Sequence, residues 1–539
     1  MSGRGHQDDR RSTVVSALPG AWRFLRGLRR YLRAPLDRDA AIALLREQRA
    51  SREARFLHTL EHGVFSNPAS PYLALLRRAG ATFEDVAGTV RRDGVEAALG
   101  RLFDAEVYVT LDEFKGLRPI RRGGFELPVS ASDFDNPMVS GDLEARGGGT
   151  RSAGRRLVFD FDHLTDDVPS HALLTGTFGV SAWPMVLWRP APPGAAGIRR
   201  ALIHAKAGGT TDAWFTQSPL PRFVGELSQR LVSESVTFGS YGLDVGIPRP
   251  GYVPLDRAVE IARHLGAMRD AGRPAHFQSS VSSAVRAVAA AREAGIDLSG
   301  TFIGVGGEPL TEERARLFEA AGCRYSCFYS MTDCGQIGVG CGDRVSADDV
   351  HLQDGKIALI LRDHRPDDPA VSRRGAFYCT TILGSSPKLL LNMETGDSGV
   401  VETRACGCLS GAIGLSRHLR HVRSYEKLTT EGMHFAGDTL MSLVERVLPE
   451  RFGGAPTDYQ FVEDRRGALA RIRIVISPRV GSVDAGEVVR CVLERLGRGP
   501  AGNRMMADYV GQAGAVDVER REPHATAAAK IAALHVIED

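Results

Sequence analysis

Gly300-Thr301-Phe302-Ile303-Gly304-Val305-Gly306-Gly307-Glu308-Pro309-Leu310-Thr311-Glu312-Glu313-Arg314-Ala315-Arg316-Leu317-Phe318-Glu319-Ala320-Ala321-Gly322 is the stretch whose reading decides the fold. The apolar run 301–305 reads as a buried strand, Gly306-Gly307-Glu308-Pro309 as a turn, and the segment opened by Pro309 and Thr311 as a helix that Gly322 ends. The apolar and aromatic run 323–329 is the next strand, left through Ser330-Met331-Thr332-Asp333-Cys334-Gly335. Upstream, Ala275-His276-Phe277 and a helix over 281–294 supply another strand and crossover. Strands alternating with helices predict an α/β chain with a parallel sheet, whose ligands gather outside the carboxyl ends of the strands. Both the Gly306 turn and the Thr332-Asp333 loop fall at that edge. The plainer reading makes them tight turns and a loop acid. A dinucleotide fingerprint fits poorly, because its third glycine position is Pro309.

Outward from this stretch, Ala145-Arg146-Gly147-Gly148-Gly149-Thr150-Arg151-Ser152-Ala153-Gly154-Arg155-Arg156 precedes a predicted strand over 157–161. Free backbone N–H groups, the Thr150 and Ser152 hydroxyls and the arginines suit a cradle for triphosphate. A glycine-rich hairpin without a ligand is the other reading. No Gly-Lys-Ser/Thr ending occurs here, so this is not the P-loop of ordinary nucleotidases. Gly208-Gly209-Thr210-Thr211 lacks basic followers and reads as a turn. The segment 388–399 reads as an apolar strand running into a turn that presents Asp397, whose carboxylate could accept both hydroxyls of a ribose.

With 539 residues, 43% of them hydrophobic, the chain can bury a large core and should divide into at least two domains. A net charge of +3 with 25% charged residues gives no reason to invoke nucleic acid. No run reaches the apolar length needed to cross a bilayer, and the basic N-terminus lacks the apolar core of a secretory signal. A cytoplasmic protein is expected. Residues 1–125 read as mostly helical, with core positions such as Ile42, Leu45, Phe56 and Leu60 between 40 and 62.

Several spaced motifs occur in the order used by adenylate-forming enzymes, and the chain resembles their phenylacetate-CoA ligase and coenzyme F390 synthetase-like branch. The loop at 147–154 is similar to that family's phosphate loop, Gly307-Glu308-Pro309 to its adenine-side turn, and Tyr329-Ser330-Met331-Thr332-Asp333 to its Y-G-x-T-E motif. Thr395-Gly396-Asp397 matches its T-G-D, Arg423 through Gly432 resembles the arginine, hinge and glycine joining two domains, and Pro523 through Lys530 resembles P-x-T-x-x-G-K. The resemblance implies a large multi-sheet adenylate-forming α/β domain, its helical part over 1–125 and its nucleotide- and acyl-binding core over 126–422, followed by a small mobile α/β domain over 423–539.

The resemblance also implies roles. Gly148, Gly149, Thr150 and Ser152 would hold the β- and γ-phosphates of ATP, and Thr332 the α-phosphate. Asp333 would bind Mg²⁺, a hard cation suited to carboxylate and phosphate oxygens. Gly307, Glu308, Pro309, Tyr329 and Ser330 would line the adenine side, and Asp397 and Arg423 would fix the ribose. Lys530 would bridge the substrate carboxylate and the α-phosphate. Three positions depart from the family pattern: Asp333 replaces the usual Glu, Arg155-Arg156 stand where lysine is common, and Ala529 precedes Lys530 where Gly is usual.

Eight cysteines in such a chain should be reduced. Cys341 and His351, with Cys406-Gly407-Cys408 after the Asp397 segment, offer three thiolates and an imidazole for a closed tetrahedral zinc site, with Cys334 as substitute. Small buried thiols beside a surface histidine are the alternative. Some members of the branch carry a structural zinc in this region.

The function implied is ATP-dependent activation of a small carboxylic acid, an aromatic one included, with acyl transfer to CoA or a carrier-protein thiol. Adenylation with an amine, protein side chain or inorganic acceptor is a second reading, and a non-catalytic nucleotide-binding homologue a third. A second copy of the chain is a candidate partner. Phe238, Tyr241, Gly242, Phe302 and Gly304 are candidates for the acyl pocket, and Glu426 for the hinge pivot.

Overall fold

The computed structural model describes residues 25–139, 143–146, 156–159, 161–191, 194–217, 236–240, 243, 245–363, 375–424, 428–430, 433–435, 440, 442–454, 456–464, 469, 471–498, 501–524 and 534–537. Helices predominate before residue 120: Arg38–Ala50, Arg52–Leu60, Pro71–Arg78, Phe83–Asp93 and Val95–Asp104. The periodic stretch 40–62 is broken at Ser51, and each piece turns its apolar stripe inward, burying Ile42, Leu45, Phe56 and Leu60. Thr82 starts the helix Phe83–Asp93 with a reciprocal box, its hydroxyl accepting from Asp85 N while the Asp85 carboxylate accepts from Thr82 N. A short hairpin, β1 (Ile120–Arg122) and β2 (Phe125–Leu127), follows. A second pairs β3 (Leu143–Arg146) with β4 (Arg156–Phe159).

One 12-stranded sheet organises the chain. Its strands are β5 (Met185–Trp188), β6 (Thr211–Thr216), β7 (Pro250–Tyr252), β8 (His276–Ser279), β9 (Phe302–Gly306), β10 (Arg324–Met331), β11 (Gly335–Gly340), β12 (Val350–Leu352), β13 (Ile357–Arg362), β14 (Ala376–Thr381), β15 (Met393–Thr403) and β16 (Arg417–Ser424). They lie in the order β13-β14-β15-β16-β12-β11-β10-β9-β8-β5-β6-β7. From β7 to β10 the neighbours run parallel, and from β10 to β13 they run antiparallel. The expected strands at 275–277, 301–305 and 323–329 are thus adjacent parallel strands, joined by the helices Val281–Glu293 and Glu312–Ala320. Every residue of β8 and β9 is buried, as helices on both faces of a parallel sheet require. Trp188 and Trp214 anchor this core, and each indole N–H is satisfied by a backbone carbonyl, of Val253 and Arg189 respectively, at 3.1 Å.

Beyond β16 come the hairpin β17 (Leu428–Thr430) with β18 (Met433–Phe435) and a separate 4-stranded sheet, β21-β20-β19-β22. Its strands are β19 (Tyr459–Asp464), β20 (Arg471–Ile476), β21 (Val516–Arg520) and β22 (Leu534–Ile537), packed with the helices Ala485–Leu496 and Ala501–Gln512. The chain is therefore α/β with one large and one small sheet, as the sequence implies.

Some local readings need correction. In the segment 388–399 the strand begins at Met393; before it, Leu389 N donates to Phe134 O and Leu390 N to the Thr381 hydroxyl. Asp397 lies inside β15 rather than in a turn, since Gly396 at φ +76° lets the strand bulge and continue. Phe161 opens the helix Phe161–Thr177 instead of closing the strand before it. Leu443–Val447 are π-helical and continue into the helix Leu448–Phe452.

Candidate active site and cysteine–histidine centre

The candidate segments gather at the carboxyl ends of the parallel strands. After β9, Gly307 takes φ +91°, which only glycine adopts without strain, and the chain turns back through Glu308 and Pro309. Glu308 does not point to an open cleft: its Oε2 accepts from Ser282 N (2.9 Å) and the Ser282 hydroxyl (2.5 Å) at the start of the helix Val281–Glu293. The helix dipole favours a carboxylate there.

After β10, Thr332 is exposed while Asp333 is buried in the turn to β11. That turn rests on Asp167, which pairs with Arg199 and Lys356 and accepts from Gln336 N at 3.2 Å. Gly335, at φ +91°, leaves the room these groups occupy, since a Cβ there would lie 2.7 Å from Arg199 Nη2. Cys334, the proposed substitute ligand, is buried in this turn, and burial together with Asp333 pushes its thiol up to about 12.

Three strands separate β10 from β15 in the sheet, yet Tyr329 Oη donates to Asp397 Oδ2 at 2.7 Å. The Tyr329 ring also stands 6.4 Å from Phe377 of β14. The antiparallel part of the sheet therefore curls back over the end of β10 and brings the Tyr329–Asp333 and Thr395–Asp397 segments together. Burial, reinforced by the Asp397 charge, holds the Tyr329 phenol well above its ordinary range, so it stays a donor. Arg423 is less directly placed. Asp397 faces Ser424 across the ladder, which puts Arg423 on the alternate face, where Nη1 reaches Asp348 Oδ2 at 3.0 Å.

Gly148, Gly149, Thr150, Ser152, Lys530, Glu426, Tyr241 and Gly242 lie outside the described residues. Phe238 is 71% exposed. Phe302 is core, packed on Phe178 and His276, and a Cβ on Gly304 would lie 2.4 Å from Gln278 Oε1.

Cys341, His351, Cys406 and Cys408 converge, with their ligand atoms all within 4.8 Å of one another. His351 Nε2 lies 3.2 Å from Cys408 Sγ and 3.4 Å from Cys406 Sγ; Cys408 Sγ is 3.4 Å from Cys406 Sγ and 4.0 Å from Cys341 Sγ. Tetrahedral bonds of about 2.3 Å to sulfur give edges of about 3.8 Å, so the set has the size of one closed coordination shell. His351 Nδ1 sits 2.7 Å from Leu415 O, which fixes the proton on Nδ1 and leaves Nε2 as a lone-pair donor toward the sulfurs. Behind the cluster, Asp349 accepts from His418 (2.7 Å) and Arg404 (2.5 Å), and Arg404 reaches Cys341 Sγ at 3.8 Å. A donor set of three thiols and one oriented imidazole fits a zinc ion.

Sequence reasoning passed over the other side of these strand ends. Arg189, immediately after β5, donates through Nη2 to the carbonyls of Ser279 (2.5 Å) and Gly306 (3.0 Å), knitting three strand ends together. Gln217, just past β6, donates to Trp188 O and accepts from Tyr509 Oη at 2.6 Å. A single arginine closing the apolar run Met185–Trp188 was the available signal.

No family model matches the chain, and no curated protein matches it in sequence. Among solved structures it is similar to 2-hydroxyisobutyryl-CoA ligase in complex with 2-HIB-AMP and CoA in the thioesterification state. The TM-score is 0.54 at 13% identity, covering 91% of this chain and 90% of that one. A malonyl-CoA ligase ternary product complex with methylmalonyl-CoA and AMP bound covers 83% of this chain and 95% of that one, at 14% identity and a TM-score of 0.39. The first likeness shows the fold: the chain has the α/β architecture of that acyl-CoA ligase. Among the described residues, no helix is long and apolar enough to cross a membrane.

Proposed function

We propose that the chain activates a carboxylic acid with ATP, forming an acyl-adenylate and pyrophosphate, and passes the acyl group to the thiol of CoA or a carrier protein. The observation that supports this most strongly is the 2.7 Å bond from Tyr329 to Asp397 across the curled sheet, because it joins two nucleotide-type segments at these strand ends. Tyr329 occupies one oxygen of Asp397 and leaves the other to accept from a ribose hydroxyl. Thr332, exposed at the lip, is free to donate to the α-phosphate. Asp333 would hold Mg²⁺, which would neutralise charge on the triphosphate. Gly148, Gly149, Thr150 and Ser152 would surround the outer phosphates. Arg423 would have to exchange Asp348 for the ribose to act there.

In the reaction, a carboxylate oxygen attacks the α-phosphorus and the bond to pyrophosphate breaks. The protein's share is positioning and charge stabilisation, with the Lys530 ammonium between carboxylate and phosphate as negative charge builds. We read residues 423–539 as a small domain that swings to bring Lys530 in and later to admit the thiol. The motif order supports membership of the phenylacetate-CoA ligase and coenzyme F390 synthetase-like branch. Cys341, His351, Cys406 and Cys408 would hold a structural zinc that braces the return from β15 to β16.

ATP–pyrophosphate exchange over a panel of acids tests the activity. Lys530→Ala should lower exchange at least a hundredfold with ATP still bound. Undiminished exchange in both Lys530→Ala and Asp397→Ala would sink the reading.

A further inference from the structure

Two guanidinium groups, Arg189 after β5 and Arg200 on the following helix, are buried and, among the described residues, bond to no carboxylate. Arg189 is 9% exposed and Arg200, on the helix Ala195–Lys206, 8% exposed. Their Cζ atoms stand 5.6 and 4.4 Å from the centroid of the Phe328 ring. Among the described residues, Arg200 hydrogen-bonds His171 Nδ1, at 3.3 Å, a neutral partner. Arg189 spends Nη2 on two carbonyls, its buried Nε has no partner, and Nη1 lies 3.7 Å from where a Cβ on Gly307 would stand. Among the described residues, neither arginine is paired with a carboxylate. The neighbouring Arg199 differs, because Asp167 neutralises it. Glu308 attracts Arg189 through space, but its own contacts are with Ser282 and, at 3.8 Å, with Arg314.

Burying a cation without a counter-ion is costly, and a second cation nearby adds to the cost. Burial, then Arg200, pushes Arg189 down to about 9, and burial pushes Arg200 down to about 10. Both still carry charge at neutral pH. A site that keeps two such charges, with a buried guanidinium N–H lacking a partner, favours an anion from outside the protein. Its position says which anion. The Arg189 guanidinium reaches the end of β9, one strand spacing of about 4.8 Å from β10, on the side of the Gly307 turn away from the Tyr329–Asp397 pair. Of the segments read as nucleotide-binding, Tyr329–Asp333 ends β10 and Thr395–Asp397 folds over it, and Gly307-Glu308-Pro309 turns between them and Arg189, which holds the ends of β8 and β9 on the far side of that turn; the anion at Arg189 therefore falls on the acyl side of the turn. Tyr509 Oη on Gln217, and Met505 beside the Gly194 loop, cover that side.

We propose that the acid activated by this chain carries a second anionic group, a carboxylate, phosphonate or phosphate a few atoms from the reacting carboxyl, and that Arg189 binds it with Arg200 supporting from across Phe328. This rests on the carboxylate-activating reading above. Arg189 is a specificity residue in it and takes no part in the adenylation step.

The test uses the full chain and matched acids: malonate, succinate and phosphonoacetate against propionate, butyrate and monomethyl succinate. ATP–pyrophosphate exchange and calorimetric titration are measured for wild type, Arg189→Met and Arg189→Lys. The expected result is a kcat/KM at least a hundredfold higher for a dianionic acid than for its monoanionic match. Arg189→Met should raise KM for that acid at least tenfold more than KM for ATP, and Arg189→Lys should recover part of the loss. Equal or better use of the monoanionic acids overturns the second-anion proposal and leaves adenylation standing, and so does an equal loss of both classes in Arg189→Met. If no acid supports exchange, the adenylation reading fails for these acids and calorimetry decides. Binding of dianions alone, abolished in Arg189→Met, upholds the anion site, and absence of such binding overturns it. The wild-type comparison stands even where a variant fails to fold.

Discussion

Lowering the pH should unfold this protein well before its carboxylates are protonated, because three histidines are locked in the core as neutral donors and acceptors. His204 Nε2 faces Thr210 O at 3.1 Å, so it carries the proton there and offers Nδ1 as acceptor to His171 Nε2 at 2.9 Å. His171 Nδ1 in turn accepts from Arg200 at 3.3 Å. This chain of donors has no place for another proton. His276, whose ring stacks 6.2 Å from His171, donates to Gln278 Oε1 at 3.2 Å. Burial is the main force holding all three down: His204 to about 4, His276 to about 3, and His171 well below its ordinary value, with Arg200 pushing the same way. Unfolded histidines titrate near 6.5, so between pH 6.5 and about 4 the unfolded chain binds more protons than the native one and stability falls with pH. At pH 5 the cost is 1.36 kcal/mol per unit over 1.5 units, about 2 kcal/mol each for His204 and His276 and about 4 kcal/mol for the two, a large share of the stability of a typical domain, with His171 acting in the same direction. Urea denaturation at pH 7.5, 6.0 and 5.0 measures the loss. His276→Gln should remove about one proton from the pH dependence. A midpoint flat between pH 7.5 and 5.0, or the same slope in His276→Gln, would refute neutral burial of the cluster.

The purified protein should contain about one zinc per chain by elemental analysis, and Cys408→Ala should lose it and melt at lower temperature. A metal-free chain with unchanged melting counts against the centre. Tyr329→Phe removes the bond to Asp397, a net effect of about 1 kcal/mol, so KM for ATP should rise roughly fivefold in the exchange assay. An unchanged KM would separate Asp397 from the nucleotide. Asn392, fully buried at φ +46°, donates to Leu99 O and Val107 O at 2.8 and 3.1 Å and ties the N-terminal helices to β15. Asn392→Ala should cost about 2–4 kcal/mol in urea titration, through two unsatisfied carbonyls and a left-handed backbone that Ala resists; a loss below about 1 kcal/mol would remove this role.

The alternation from β8 to β10 was legible because each element announces itself locally: a continuous apolar run for a strand buried on both faces, Thr311 as a cap, Gly322 as a stop. The cysteine–histidine centre was legible for another reason. Its residue types are rare and chemically specific, so even Cys341 and Cys408, 67 positions apart, can be associated without knowing the path between them. Asp397 was misplaced in a turn because Gly396 signals a break in sequence, whereas in the sheet its positive φ only bulges the strand. Glu308 looked like a ligand residue; its partner Ser282 lies on the neighbouring crossover, a contact that only the parallel pairing of β8 and β9 creates. Arg189, Arg200 and the histidines carried no signal beyond one arginine after a strand, since a polar residue destined for burial has the same letter as one on the surface.

The small sheet is tied to the same strand ends. Tyr509, 1% exposed on the helix Ala501–Gln512, donates to Gln217, and Gln217 donates to Trp188 O, the carbonyl one residue before Arg189. Arg286 donates to Ala513 O at 2.9 Å and Leu255 N to Gln512 Oε1 at 3.3 Å, so the contact is made by both the helix and the loop that follows it. A swing of the small domain, as proposed for the two half-reactions, must break the Tyr509 bond and uncover Gln217 and the acyl side together. An anion at Arg189 favours the covered arrangement, because excluding water strengthens its attraction to the guanidinium. Release of that cover is therefore opposed by the acid's second charge as well as by the Tyr509 bond. In that proposed swing the uncovered arrangement has to offset both, so the anion proposed for specificity would also set how readily the small domain leaves the position it holds here.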